Sequence, residues 1–209
     1  MRWVAVGLVV INVLLMQVVR GQATRLAEIR TDLEQYRTTI AELEAENEAA
    51  RIELAVINVL DSNDLEIDPA RRRGVARTIL RVAESYDLPP ELILGVIFTE
   101  SRFDIRAQSH MGAVGLMQLM PATATQLARE LEIDWKGQEL LSEPEVNILL
   151  GGFYLRKLIE RFEDLDVALA AYNAGPNRVH SLLSARGRAP RLYPRQVQRA
   201  TASLRERYF

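Results

Sequence analysis

Glu100 ends an apolar run: the residues before it read LILGVIFT, and ESRFD follows. On a helix, Ile93, Val96 and Ile97 share its face, at i−7, i−4 and i−3. Burial disfavours the charged form of a carboxylate, so this spacing predicts a raised pKa. A carboxylic acid still protonated near neutral pH can protonate a leaving oxygen. The rival reading is a polar residue marking the end of an apolar helix. A conventional glycosidase needs a second carboxylate across the scissile bond. Asp104, at i+4, lies on the same side of the same helix and is a poor second catalyst. It reads instead as a hydrogen bonder at the helix end. If Glu100 does chemistry, it does so without a carboxylate partner.

Two further segments hold residues that could meet a ligand. SHMGAVGLMQLMPATA, residues 109–124, has Gly112 and Gly115, and Gln118 is an isolated amide among Leu116, Met117, Leu119 and Met120. Glycine permits backbone angles and close approaches that other residues do not. Gln118 also fits a core-edge amide bonded to the backbone. ALAAYNAGP, residues 168–176, places Tyr172 and Asn173 at the end of a small-residue helix before a Gly-Pro stop. Packing and helix capping would account for both. His110, in the glycine loop, reads as a surface histidine.

ESRF at 100–103, GAVGLMQLMPATA at 112–124, NILLGGFYL at 147–155 and ALAAYNAGP at 168–176 stand in one order and spacing. Together they resemble the soluble lytic transglycosylase family, over roughly residues 87–179. The resemblance implies a goose-type lysozyme-like helical domain acting on peptidoglycan, with no cofactor and no metal. Glu100 matches the family's single catalytic acid/base. Ser109 and Gln118 match sugar-contacting groups, and Met117 and Met120 match methionines lining the groove. Tyr172 matches a tyrosine bonded to the catalytic glutamate, with Asn173 beside it. The reaction implied is cleavage of the β-1,4 bond between N-acetylmuramic acid and N-acetylglucosamine, leaving a 1,6-anhydro end. The alternatives are hydrolysis of the same bond, as in a lysozyme, and a non-catalytic glycan-binding scaffold. One departure stands out: Ile105 follows ESRFD where the family usually has proline. The segment YPRQVQRATASLRERY is only loosely family-like.

These residues must be positioned by helices. Asp68-Pro69 opens one, with Val75, Ile79, Val82 and Ala83 as its apolar stripe. Leu88-Pro89-Pro90 closes it and starts the helix that carries Glu100. Residues 107–115 form a loop, and Met120-Pro121 begins another helix. Ser142 is expected to cap PEVNILLGGFYLRKLIERF, and Asp166 to precede VALAAYNAG. No strand-length alternating run is present, so the class is all-α, with a catalytic domain at 70–209.

Before that domain the chain changes character. Trp3–Val19 is an uncharged seventeen-residue stretch with only Asn12 and Gln17 polar, near the lower end of the roughly 17–25 residues that cross a bilayer. Residues 1–22 are therefore expected to form a transmembrane anchor. A signal sequence is the rival, although no small-residue cleavage site follows. Leu26, Ile29, Leu33, Tyr36, Ile40, Leu43, Asn47, Ala50, Leu54 and Ile57 then alternate in steps of three and four. That is a heptad seam. With Asn47 at an a position, residues 23–60 read as the stalk of a parallel homodimeric coiled coil paired through 26–57. A single helix packed elsewhere is the alternative. At 1.5 Å per residue the seam runs roughly 48 Å. Residues 61–69, DSNDLEIDP, form the linker. Location at the inner membrane with a periplasmic catalytic domain follows from this order.

Net charge is −2, yet it is segregated. Residues 24–66 carry four arginines against eleven acids, and residues 176–209 carry eight arginines against Glu206 alone. A basic tail could meet an anionic polymer or nucleic acid; a solvated helix face is the plainer reading, and no nucleic-acid partner is expected. The absence of cysteine excludes disulfides and thiolate metal sites, and two histidines leave no histidine-rich metal site.

Overall fold

The computed structural model describes residues 2–63, 65 and 67–209, with side chains from Asn12 onward. Eight helices follow in order among them: α1 (Arg2–Ser62), α2 (Pro69–Tyr86), α3 (Pro90–Ser101), α4 (Pro121–Glu130), α5 (Pro144–Phe162), α6 (Leu165–Ala174), α7 (Pro176–Arg186) and α8 (Leu192–Tyr208). A 3-10 turn, Gln138–Ser142, precedes α5. Among the described residues the only β pairing is two isolated bridges, Gln108 with Val114 and Val114 with Leu119. The protein is all-α.

The chain divides into two compact units, Met1–Ala50 and Arg51–Phe209. In the first, Leu26, Ile29, Leu33, Tyr36, Ile40 and Leu43 are all exposed, so the heptad stripe has no partner among the described residues. Among the described residues no helix is long and apolar enough to cross a membrane. The expected anchor begins outside the described side chains, which start at Asn12.

The second unit takes in the last turns of α1. Ala55, Val56, Val59 and Leu60 are buried there. The stalk was expected to run to residue 60, but these residues form a second apolar stripe at i, i+1, i+4 and i+5, which needs a core of its own. Arg72 ties α2 to this region. Its guanidinium donates to Asp61 Oδ1 at 2.6 Å and to the carbonyls of Leu65 and Ile67 at 3.2 and 3.1 Å.

Helix boundaries in this unit follow local chemistry. Asp68 Oδ1 accepts from the Ala70 and Arg71 amides at 3.0 Å each, and proline opens α2. One expected cap differs. Ser142 ends the 3-10 turn, and α5 starts after Glu143 without a side-chain cap. Asp164 caps α6, through Oδ1 to the Val167 amide at 2.9 Å. Asp166 lies in the first turn and accepts from Gln198 on α8.

The core positions the site through two close helix contacts. α8 runs against α3, and Gly95 is where they meet. A Cβ on Gly95 would lie 2.2 Å from Thr201 Oγ1 and about 3.1–3.2 Å from Thr201 backbone atoms. Only a residue without a side chain lets α8 come this near. Gly151 does the same for the loop after α3, since a Cβ there would meet Met117 Sδ at 2.4 Å. These approaches set where Tyr193 and Met117 stand relative to α3.

Candidate active site

Glu100 occupies the last turn of α3, half-buried. Ile93, Val96 and Ile97 on its face are fully buried, as the spacing predicts. Burial pushes its carboxyl up to about 7, against a smaller opposing pull from a hydrogen bond. That bond comes from Tyr193, whose hydroxyl donates to Glu100 Oε1 at 2.5 Å. Tyr193 is itself buried, and its phenol is pushed well above the usual range, by burial first and then by the facing carboxylate. It therefore stays protonated as a permanent donor. No other carboxylate contributes to the Glu100 shift.

The expected tyrosine partner is thus corrected. Tyr172 is buried, but its hydroxyl donates to the Met117 carbonyl at 2.9 Å, not to Glu100. Its ring packs on Tyr154 with centroids 5.3 Å apart. It holds the loop in place. The presence of Glu100 nearby still raises the Tyr172 phenol, after burial, so the two groups share one neighbourhood.

The loop from Ala107 to Met120 is stitched by backbone bonds. The Ser109 amide donates to Ala113 O at 2.9 Å, and Gly115 N donates to Ala107 O at 2.9 Å. Ser109 Oγ accepts from the Ala113 amide at 2.9 Å. Gln118 adopts a left-handed φ of 48°, an uncommon state for a residue with a side chain. Its amide Nε2 donates to Ala107 O and Gly115 O at 3.0 and 2.9 Å. Those two bonds orient the amide and leave its carbonyl oxygen available to a ligand. Met120 is exposed, whereas Met117 is fully buried and forms part of the core, not the wall of an open groove. Asn173 is exposed at the end of α6, and His110 is an exposed loop residue. Asp104 Oδ1 accepts from the Arg106 amide at 2.8 Å and turns the chain after α3. Ile105 packs against the core in place of the usual proline.

Two residues that sequence reasoning did not single out complete the site. Tyr193 is one. It is the polar-tipped member of the stripe Tyr193, Val197, Ala200 and Leu204, all buried, and a buried tyrosine hydroxyl normally finds a partner. Asn147 is the other. This fully buried amide accepts from the Met117 amide at 2.7 Å and donates to Val114 O and Leu141 O at 2.9 and 3.0 Å. Among the described residues, no cluster of His, Asp and Glu is placed to hold a metal ion.

Tyr193→Phe tests the role of the tyrosine. Removing a bond to the ionised form should raise the Glu100 pKa further above 7. The limb of the pH–rate profile on which activity falls with rising pH should therefore move to higher pH, with kcat reduced about 10-fold. An unmoved limb would contradict this assignment.

The helical unit thus holds one half-buried acid, a buried tyrosine donor and a loop shaped by glycines. The chain belongs to the Transglycosylase SLT domain family, which it matches over residues 77–192. It is 40% identical over 103 residues to a transglycosylase of Enterobacteria phage PRD1, covering 49% of this chain and 36% of that one. It is 38% identical over 105 residues to the soluble lytic murein transglycosylase of Salmonella typhimurium, covering 49% of this chain and 16% of that protein. The 70 kDa soluble lytic transglycosylase of Escherichia coli superposes with a TM-score of 0.56 at 29% identity, over 62% of this chain and 24% of that one. The chain spans well under half the length of these relatives.

Proposed function

We propose that this protein is a peptidoglycan lytic transglycosylase that cleaves the β-1,4 bond between N-acetylmuramic acid and N-acetylglucosamine and closes a 1,6-anhydro ring. The observation that carries this is Glu100 as a lone acid near neutrality, set by burial and Tyr193 with no second carboxylate acting on it. Glu100 protonates the glycosidic oxygen. The acetamido oxygen of the substrate stabilises C1, the substrate-assisted exception to the two-carboxylate rule. The ionised Glu100 then takes the proton of the muramoyl O6 hydroxyl, O6 closes on C1, and no water is consumed. Tyr193 keeps the carboxylate oriented between the two proton transfers. Ser109, Gln118 and Met120 contact the sugars from the loop, and Asn173 does so from the end of α6. Tyr172 and Met117 support that surface from beneath.

Digestion of peptidoglycan by the full chain, with the fragments read by mass spectrometry, tests this. Anhydro-muropeptides are expected. Reducing-end muropeptides would mean hydrolysis, and folded protein that binds glycan without cutting it would mean a scaffold.

The first unit serves as anchor and stalk in this reading. The apolar Trp3–Val19 stretch supports membrane attachment, with the second unit in the periplasm, and membrane-bound relatives exist: a membrane-bound lytic murein transglycosylase F from Desulfosudis oleivorans is 37% identical over 108 residues. The exposed stripe from Leu26 to Leu43 supports pairing with a second copy, with Asn47 setting register. Leu33→Lys combined with Ile40→Lys should convert a dimer to a monomer in sedimentation without loss of helical folding in the second unit. A monomeric wild type would refute the pairing.

A further inference from the structure

A groove of about 350 Å³ lies between α3 and α8, away from the face that carries Glu100. Phe98 and Ala200 form its apolar lining, and Gln196, Ser203, Arg102 and Arg199 supply its polar groups. No acidic side chain lines it. Arg102 and Arg199 have no carboxylate partner among the described residues, whereas Arg205 farther along α8 is paired with Glu91 at 2.6 Å. The Arg102 guanidinium is held over the Phe98 ring, 5.7 Å from its centroid. Arg102 also caps α3 in the left-handed region, at φ 52° and ψ 38°, where glycine is the usual choice.

Two planar guanidinium forks, an amide and a hydroxyl around an apolar lining suit a carboxylate. Where the groove opens indicates whose carboxylate. Arg102 is two residues beyond Glu100, and Gln196 is one turn beyond Tyr193. The groove therefore begins at the ends of the same two helices that hold the acid and its partner. In a stem-bearing strand the muramoyl lactyl carboxyl is tied up in the amide to the stem, so the glycan itself carries no charge. The group that brings a carboxylate close to the scissile bond is the peptide stem on the muramoyl lactyl ether. Crossing a helix of about 10 Å diameter needs roughly three extended residues, the reach of the second or third stem residue.

We propose that the α3–α8 groove binds a carboxylate of the peptide stem, making Arg102 and Arg199 determinants of preference for stem-bearing glycan. This rests on the peptidoglycan reading above. The test compares the full chain with the variant Arg102→Gln, Arg199→Gln on two substrates: soluble glycan strands with their stems, and the same strands stripped of stems by an amidase. Both arginines are exposed, so folding is retained. On stem-bearing strands kcat/KM should fall about 10-fold or more, chiefly through KM, as expected for losing charge-assisted contacts. On stripped strands, where the amidase leaves only the lactyl carboxylate, too short to cross the helix, it should not change. Equal loss on both, or no loss on either, would overturn the proposal. A titration with the free tripeptide L-Ala-D-Glu-L-Lys decides the groove without cleavage. Amide shifts at Phe98, Gln196 and Ser203 in the wild type and none in the variant would support it. No shifts in the wild type would overturn it, as would shifts that persist in the variant, which assign binding elsewhere. If the wild type cuts neither strand, the function reading fails, and the titration still rules on the groove.

Discussion

Glu100→Gln should abolish cleavage and stabilise the protein in the same stroke. The amide is nearly the same size as the acid but can neither give nor take the proton. Both proposed proton transfers use this group, so the loss should reach about 10³-fold or more. The stability gain has a sign that depends on pH. Burial holds the carboxyl at about 7 against an ordinary value of 4.5. Below the ordinary value both folded and unfolded chains carry the proton, and burial costs little. As pH rises toward 7 the unfolded chain ionises first, so the native state loses stability until its own group ionises. The full penalty is present above pH 7. With each pKa unit equivalent to 1.36 kcal/mol and the group partly open to solvent, about 2 kcal/mol is a fair expectation. Melting curves should therefore show the Gln variant several degrees more stable at pH 8 and indistinguishable at pH 4. Equal melting points at both would mean that the acid is not strained in the native state.

Asn147→Ala should be the most damaging single change in the scaffold. It strands the Met117 amide and the Leu141 carbonyl and takes one of two bonds from the Val114 carbonyl, which keeps the Leu119 amide at 3.1 Å. Each of the two buried groups left without a partner costs about 1–3 kcal/mol, so a total of roughly 2–6 kcal/mol is expected. Water cannot enter easily, because Gly115 backs directly onto the amide: a Cβ there would lie 2.4 Å from Asn147 Nδ2. Urea unfolding measures the loss. Amide exchange at Met117 and Leu119 should quicken even where the variant remains folded, and activity should fall with it, since this loop carries Ser109 and Gln118. A loss under 1 kcal/mol would show that the loop is held by its backbone bonds alone.

The parts of the site legible in the sequence are those where chemistry and local context coincide. Glu100 betrayed itself through the apolar residues one and two turns before it, and the glycine loop through its spacing. The helical class and most helix starts could be read from prolines and caps. What escaped depends on contacts between distant segments. Tyr172 and Tyr193 are both plausible donors to Glu100, and only the packing of α8 against α3 at Gly95 decides between them. The family resemblance implied a groove-lining Met117, yet Gly151 draws it into the core. Asn147 was hidden inside an apolar run as an apparent interruption. The end of α1 was ambiguous because Ala55, Val56, Val59 and Leu60 lay beside a continuing heptad, and periodicity alone could not show which stripe the core would claim.

The bond between Tyr193 and Glu100 joins residues 93 positions apart. A ribosome releasing this chain makes the acid long before it makes the hydroxyl that orients it. Until α8 emerges and seats over Gly95, the carboxyl faces water on a helix whose apolar flank is uncovered, and a partial chain holds a blunt tool that quality control can recognise by its exposed surface. Completion of the fold and arming of the acid are thus one event, which confines the proposed cleavage of peptidoglycan to the finished chain.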